Sequence, residues 1–372
     1  MPIVVHLIDF SERNSWIEDQ LPLLRDLGLN QGLISISKEG AIHQTLRARN
    51  LTRIHAVSPS IRGLVRVITL LKSWSKEEKV YIYAHGHLPS VYASLFKLTT
   101  GTAFVICHHH TTEFFTQLKK RMHFKAMFHL VLSQLYYRSA MKIQSLSPEV
   151  THSLLVQGIR ADKIIEIPFG IPFDKFYKME KVLGNTINQE TKHVVSIGRL
   201  VWNKRIDLGL KSVESLIKSG VRVDYSIVGE GPELAELKNL AKRLGIERHV
   251  FFLGKREDIN DILNTADFFF HLSLTESYSQ VIMEARLAEL PIFTSPCGVA
   301  LEMETLKDPL LHIFRTNDPK DIAIEFLEFI NLMNAPSVID PRRLYQSHEY
   351  EDVLKEVAKM FLSFSVAQSE KK

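Results

Sequence analysis

One rhythm runs through this chain twice. Short β-branched and aromatic runs recur about 25 to 30 residues apart with helix-period segments between them, the spacing of βαβ units. In the first half the runs are Ile3 to Ile8, Leu33 to Ser37, Val80 to Ala84, Ala103 to Cys107 and Lys142 to Leu146. From His193 the pattern restarts with VVSIG, DYSIVG, HVFFLG, ADFFFHL and PIFTS. The expected fold class is therefore α/β, two doubly wound Rossmann-like domains of parallel strands covered by helices. Such sheets take ligands at the carboxyl ends of their strands, so a pair joined by a hinge predicts a cleft between facing domains.

The domain boundaries follow from turn chemistry. Pro168 to Pro172 is a turn and residues 180–192 are polar and aperiodic. This places a first domain over 1–172, a hinge over 173–192, a second domain over 193–345, and a C-terminal helix over 346–372 that can cross back to the first domain. A length of 372 residues supplies a sizeable core for each.

No run approaches the roughly 18 consecutive apolar residues of a membrane span, and the opening MPIVVHLIDF lacks the basic flank and cleavage site of a signal peptide. A cytoplasmic protein is expected. Cys107 and Cys297 are the two cysteines, far apart in sequence, which argues against a disulfide scaffold. Charge is uneven: residues 1–180 hold 22 Lys and Arg against 14 Asp and Glu, the remainder 24 against 28. The basic half suggests a partner with negative charge, such as membrane lipid or a phosphorylated acceptor. Nucleic acid is not expected, because no recognisable motif or dense Lys/Arg stripe is present.

Chemistry-bearing residues gather at strand ends in the second half. The run to Ile197 leads into Gly198, Arg199 and Leu200, with Lys204 just before the next helical pattern. Two cations at one strand end suit a diphosphate, Arg199 as a planar fork and Lys204 as a point charge; an ordinary solvated loop is the alternative. Gly229 and Gly231 make a tight turn that, taken alone, is a plain βα connection. The segment Ser273 to Ala285 is the most informative. Ser277 and Gln280 have capping-box spacing, so a helix is expected to begin near Ser277 to Ser279, with its free N–H groups open to an anion. Glu284 then lies roughly 10 Å from Glu276, the reach of a nucleotide sugar. Singly, Glu276 reads as a helix-entry charge and Glu284 as a solvated helix face; beside Arg199 and Lys204 they read as a donor site.

Taken in order, GRLVWNK, IVGEGPELAELKNLAKRLGI, VFFLG and the Glu-x7-Glu of ESYSQVIME resemble the nucleotide-sugar domain of family-four retaining glycosyltransferases of the GT-B fold, the glycosyltransferase group 1 type. Before residue 140 the match thins, and only SLSPEV and IPFGIPFDKF look like that family's approach to the hinge. The resemblance implies that Gly198, Arg199 and Lys204 hold the donor diphosphate, Glu276 the transferred sugar and Glu284 the ribose. Gly229, Ser279, Gln280 and Val281 would line the donor, and the loop Gly254-Lys255-Arg256 would lie near the nucleobase. The chain departs from the family in having Ser277, Ser279 and Arg205 where glycine is usual, and DFSERNSWIED where that family has a glycine-rich first loop.

Of 16 histidines, 11 precede residue 180. His85 and His87 stand at one strand end, and His108, His109 and His110 at another. Five imidazoles there could ligate zinc, but no Cys, Asp or Glu has ligand spacing. The resemblance implies that one histidine after this strand reaches the sugar and the reacting centre. His108 is the best positional match, with His109, His110, His85 and His87 as possible sugar or acceptor contacts; satisfied loop histidines are the bland alternative. The segment from Phe114 to Arg138 mixes Lys119, Lys120, Arg121 and Lys125 with aromatic and apolar residues, and reads either as a core helix with one basic face or as an interfacial helix on anionic lipid.

The expected activity is thus transfer of a sugar, with retention, from a nucleotide-diphosphate donor, UDP-linked by preference, to a saccharide or lipid-linked acceptor in envelope or capsule polysaccharide synthesis. No cofactor or metal is expected, since Arg199, Lys204 and a helix end can oppose the leaving charge and no DxD-like pair occurs in a suitable loop. The alternatives are a non-catalytic nucleotide-sugar-binding partner of another transferase and a nucleotide-sugar epimerase on the same fold.

Overall fold

The computed structural model describes residues 1–12, 14–108, 123–176, 191–333 and 340–369. They divide into two compact units, Met1–Gly170 with Tyr350–Lys372, and Ile171–Glu349.

The first unit is built on seven parallel strands, β1 (Ile3–Ile8), β2 (Asn30–Ser35), β3 (Ile54–Ala56), β4 (Val80–His85), β5 (Ala103–His108), β6 (Lys142–Ser145) and β7 (Ile164–Glu166). They lie in the order β3-β2-β1-β4-β5-β6-β7. Between them run α1 (Ser15–Asp26), α2 (Ala41–Ala48), α3 (Ile61–Glu77), α4 (His87–Thr100), α5 (His123–Ser139) and α6 (Pro148–Val156).

The second unit has six parallel strands, β8 (Lys192–Ile197), β9 (Val223–Val228), β10 (Val250–Gly254), β11 (Phe268–His271), β12 (Ile292–Thr294) and β13 (Leu311–Ile313), ordered β10-β9-β8-β11-β12-β13. Its helices are α7 (Phe173–Phe176), α8 (Ile206–Lys218), α9 (Leu234–Arg243), α10 (Ile259–Thr265), α11 (Gln280–Leu287), α12 (Val299–Thr305), α13 (Pro319–Leu332) and α14 (Pro341–Leu344). The closing helix α15 (Tyr350–Ser369) belongs to the first unit.

The strand order of both sheets reverses at the corresponding place. The first strand of each unit pairs with the second on one side and with the fourth on the other, β1 between β2 and β4, β8 between β9 and β11. That switch point is where loops on both sides splay apart and leave room for a ligand.

Strand alternation sorts the helices of the first unit into two layers. Val80, Ile82 and Ala84 of β4 share a core with α3, α4, α5 and α6. Tyr81 and Tyr83 face the other way, onto Phe361 of α15, which packs beside α1. In the second unit Tyr225, Phe270, Phe293 and Phe326 anchor the core.

One sequence expectation needs correction, and three short strands carry no sequence signal. The second strand runs over Asn30–Ser35 rather than 33–37, because β1 sets its register from Ile3 opposite Asn30 to Ile8 opposite Ser35. The edge strands β3, β7 and β13 have three residues each, too few for a period-two signal to show.

Candidate functional site

The loop after β8 carries the two cations and is held by its neighbour. Gly198 N–H donates to Val228 O at 2.9 Å, and Leu200 N–H to Glu230 O at 2.9 Å. This close approach requires the glycines of the next loop, since a Cβ on Gly229 would meet Gly198 O at 1.9 Å and one on Gly231 would meet Leu200 O at 2.2 Å. Gly229 is therefore a packing glycine beneath the cation loop. Trp202–Lys204 form a 3-10 turn that ends in Arg205 with φ of 53°. Arg199 is exposed, and its guanidinium has no partner among the described residues.

The loop after β11 comes from the other side of the switch point. Leu274 N–H donates to Asn203 O at 2.7 Å, which ties this loop to the first. Val299 N–H donates to Tyr278 O at 2.7 Å from beyond β12. Gly298, with φ of 58°, lets that loop approach, for a Cβ there would stand 2.5 Å from Tyr278 O and 3.1 Å from the Glu276 Cβ.

The expected capping box at Ser277 does not form. Helix α11 starts at Gln280, and its N-cap is Ser279 in the left-handed region with φ of 69°, making no side-chain cap. Ser279 and Arg205 thus keep the backbone that glycine favours at two positions where the resembled family has glycine, at a cost of about 1 kcal/mol each.

Glu276 is the centre of the polar cluster. Its Oε1 forms an ion pair with Lys204 Nζ, their side chains 13% and 22% exposed. His271 Nε2, at the end of β11, lies 3.2 Å from the same oxygen. Burial alone would push the Glu276 carboxyl up, but the Lys204 ammonium and the His271 hydrogen bond outweigh it and hold the pKa at about 2. Burial also lowers the pKa of His271, against the pull of Glu276, so the ring is neutral at pH 7. A carboxylate can only accept, so the network assigns the imidazole hydrogen to Nε2, donating to Glu276. The hydroxyls of Ser273 and Ser279 each lie 3.2 Å from Nε2, and Thr294 Oγ1 lies 3.2 Å from Nδ1. The Ser279 hydroxyl therefore lies on His271, where a glycine would leave nothing.

His271 and Gly298 were not among the sequence candidates. The run ADFFFHL reads as one apolar strand, and nothing in it marks the histidine as a carboxylate partner. Gly298 follows the short strand β12 without any recognisable motif.

The remaining candidates are distributed as follows. Gln280 and Val281 open α11, and Glu284 is half-buried one turn further on. Gly254 closes β10 with φ of 67° and accepts from Gly229 N–H at 2.8 Å. Lys255 is exposed beside it, and Arg256 is engaged by Asp258 at 2.7 Å.

In the first unit, His85 is buried at the end of β4, with Nε2 3.0 Å from His6 Nδ1. His6 Nε2 lies 2.9 Å from Gln31 Oε1, and burial drives its pKa down to about 4 despite that bond. His87 Nδ1 lies 3.0 Å from the Tyr136 hydroxyl. His108 ends β5; its side chain, His109, His110 and the basic run at Lys119 to Arg121 lie outside the described residues, as does the side chain of Lys125. Among the described residues no group of three His, Cys, Asp or Glu side chains could hold a metal ion. Cys107 and Cys297 are both buried thiols.

Comparison with known proteins agrees with this architecture. Residues 180–340 match the family model described as glycosyl transferases group 1. The phosphatidylinositol N-acetylglucosaminyltransferase GPI3 subunit of Saccharomyces cerevisiae is 24% identical over 217 residues, 56% of this chain and 47% of that protein. N-acetyl-alpha-D-glucosaminyl L-malate synthase of Bacillus anthracis is 27% identical over 192 residues, 48% of this chain and 49% of that protein. The chain thus spans about half the length of the relatives it matches. Among solved structures, Anabaena Alr3699/HepE in complex with UDP and glucose superposes with a TM-score of 0.76 at 18% identity, covering 97% of this chain and 99% of that one. The lipopolysaccharide outer core galactosyltransferase WaaB gives 0.72 at 13% identity, covering 98% and 99%. These likenesses carry the fold, which is GT-B.

Proposed function

We propose that this chain, whose residues 180–340 match the glycosyl transferases group 1 family, is a retaining, metal-independent glycosyltransferase using a nucleotide-diphosphate sugar. The observation that carries the reading is the meeting of Lys204, Glu276 and His271 at the β8/β11 switch point. A carboxylate held ionised there, partly buried, accepts hydrogen bonds from sugar hydroxyls. The lysine that neutralises it has further N–H groups for a phosphate oxygen. Arg199, unpartnered among the described residues and one loop turn away, is free to take the outer phosphate, with the N-terminal end of α11 opposite.

In the transfer, the bond between the anomeric carbon and the phosphate oxygen breaks as the acceptor oxygen bonds to that carbon from the same face. The acceptor proton passes to the departing phosphate, so no side-chain base is required. Arg199 and Lys204 oppose the charge that grows on the leaving group, the role a metal plays in other transferases. Glu284 is assigned to the ribose, and Gly254 and Lys255 to the base.

We take the donor to be a UDP-sugar, in keeping with the UDP and glucose named for the HepE complex, and the acceptor to be a saccharide or lipid-linked molecule bound on the first unit, with an envelope or capsule polysaccharide as product. The GPI3 and malate synthase relatives, named for N-acetylglucosaminyl transfer, favour an N-acetylhexosamine as the sugar. The chain would work in the cytoplasm, at the inner face of the membrane where the acceptor is lipid-linked. Ser279 does not speak for a non-catalytic binder, because it keeps the left-handed backbone of a glycine and adds a hydroxyl to His271.

The test is a thermal-shift panel of UDP, GDP, ADP and their sugars on the full chain. A true donor at 100 times its Kd stabilises by about 2.7 kcal/mol. A shift with one nucleotide diphosphate, lost in Lys204→Ala, is the expected result; no shift with any of them contradicts the reading.

A further inference from the structure

The edge strands of the two sheets are not alike. β3, β7 and β13 have three residues each and include His55, Glu166 and His312 respectively. Short edges that carry polar groups resist pairing with another chain. The remaining edge, β10, has five residues, VFFLG, and no polar side chain. Phe251 and Leu253 stand on one face of it, 44% and 37% exposed, while on the other Val250 joins the core of the unit and Phe252 packs against that core.

The ladder with β9 fixes which backbone groups are left open. Tyr225 N–H donates to His249 O at 2.7 Å, with Val250 opposite Tyr225 and Phe251 opposite Ser226. Alternate residues of a strand bond the same neighbour, so His249 and Phe251 turn their backbone to β9. Val250 and Phe252 therefore point their N–H and C=O groups to the outer side, where no strand pairs with β10 among the described residues. The register slips only after Phe252, so this stretch is regular.

From this edge we infer that two copies of the chain join through their second units, by antiparallel pairing of β10 about a two-fold axis at Phe251. In that register Val250 of each copy lies opposite Phe252 of the other, and each such pair exchanges both of its N–H···O bonds. Phe251 meets its own counterpart as a non-hydrogen-bonded pair, the kind with the closer side chains. Glu247, exposed just before the strand, falls beside Lys255, exposed just after it, at both ends of the contact. Centring on Phe252 instead would set Arg248 against Arg256 and Glu247 against Glu257, like against like. A segment of another protein could take up the same backbone groups, but nothing in the chain specifies one, whereas a second copy matches charge at both strand ends. The inference is independent of the donor chemistry and is tested without an activity assay.

The experiment is sedimentation velocity on the full chain over roughly a hundredfold range of micromolar concentration, with amide hydrogen exchange at its two extremes. A dimer is expected to grow in with concentration, and the Val250 and Phe252 amides to exchange at least about threefold more slowly at the upper extreme. Phe251→Asp, which sets two carboxylates against each other across the axis, is expected to weaken dimerisation at least about tenfold. Glu247→Lys and Lys255→Glu are each expected to weaken it about threefold, and the double exchange to restore it. Leu98→Ser, which removes an exposed apolar side chain of the first unit, is expected to leave it unchanged. Circular dichroism confirms the fold of each variant, and hydrogen exchange on the unaltered chain carries the test if Phe251→Asp fails to fold. A chain monomeric throughout, a dimer insensitive to Phe251→Asp, equal loss in the Leu98 variant, a double exchange no better than its single variants, or a dimer whose Val250 and Phe252 amides exchange as in the monomer would each overturn the inference.

Discussion

The two units place a polar cluster at the same topological position and make opposite use of it. At the β8/β11 switch point, Lys204 and Glu276 sit partly open on loops that follow the strands, with His271 buried at the end of β11 against them, and a full charge pair is maintained. At the β1/β4 switch point, His6, His85 and Gln31 lie buried within or at the ends of the strands, with Tyr83 and Trp16 packed against the imidazoles and His6 kept neutral by burial. Charges kept near solvent and pre-paired are ready for a ligand; a neutral imidazole buried in a sheet specifies packing. The difference teaches that the switch point alone does not make a binding site. The residues on the loops after it do.

The sharpest way to break this contrast is to remove the cation of the second unit. Lys204→Ala should lower sugar transfer by about 100-fold to 1000-fold, the usual effect of deleting one preorganised donor to a developing oxyanion. Steady-state assay with the donor found by thermal shift measures it, and unimpaired turnover would remove the phosphate assignment.

The first unit's cluster predicts a pH effect of stability with no charge pair involved. The folded pKa of His6, about 4, lies below the ordinary 6.5, so its contribution is complete above pH 6.5 and is lost as pH falls toward 4. About 3 kcal/mol of unfolding free energy should disappear over that window. His6→Asn should flatten it, as thermal melts from neutral to acid pH would show; an unchanged slope would place the proton uptake elsewhere.

A smaller effect separates the loop supports of the second unit from its ion pair. Gly298→Ala puts a methyl 2.5 Å from Tyr278 O in a left-handed backbone. It should cost about 2 kcal/mol of stability and weaken donor binding, checked by denaturant unfolding and donor titration. His271→Phe, which removes the hydrogen bond to Glu276 while keeping ring volume, should reduce kcat about tenfold with little change in KM, because the carboxylate loses its orientation rather than its charge. Smallest is Arg205→Gly. It relieves a φ of 53° but loses the bond to Asn317 Oδ1 at 2.8 Å, so stability should change by under about 1 kcal/mol in either direction.

Much of this contrast is legible in the amino-acid pattern itself, and unevenly so. Long strands with β-branched and aromatic residues announce themselves, and the loops that follow them in the second unit carry Arg199, Lys204 and Glu276 at recognisable spacing. Three-residue edge strands carry no period. The start of α11 misleads because Ser277 and Gln280 imitate a cap, whereas Ser279, one residue before the helix, takes a left-handed conformation that a serine rarely adopts. His271 is hidden because its partner is five residues on, across a turn whose shape depends on Gly298 and Asn203. The run VFFLG reads like any buried strand, and only the strand order makes it an open edge.

The most direct test is a crystal of the full chain grown with its nucleotide-sugar donor. The account predicts a diphosphate within hydrogen-bond distance of Lys204 Nζ and the Arg199 guanidinium, with the sugar hydroxyls on Glu276. A diphosphate bound elsewhere, with the Lys204–Glu276 pair intact and untouched by ligand, would contradict it.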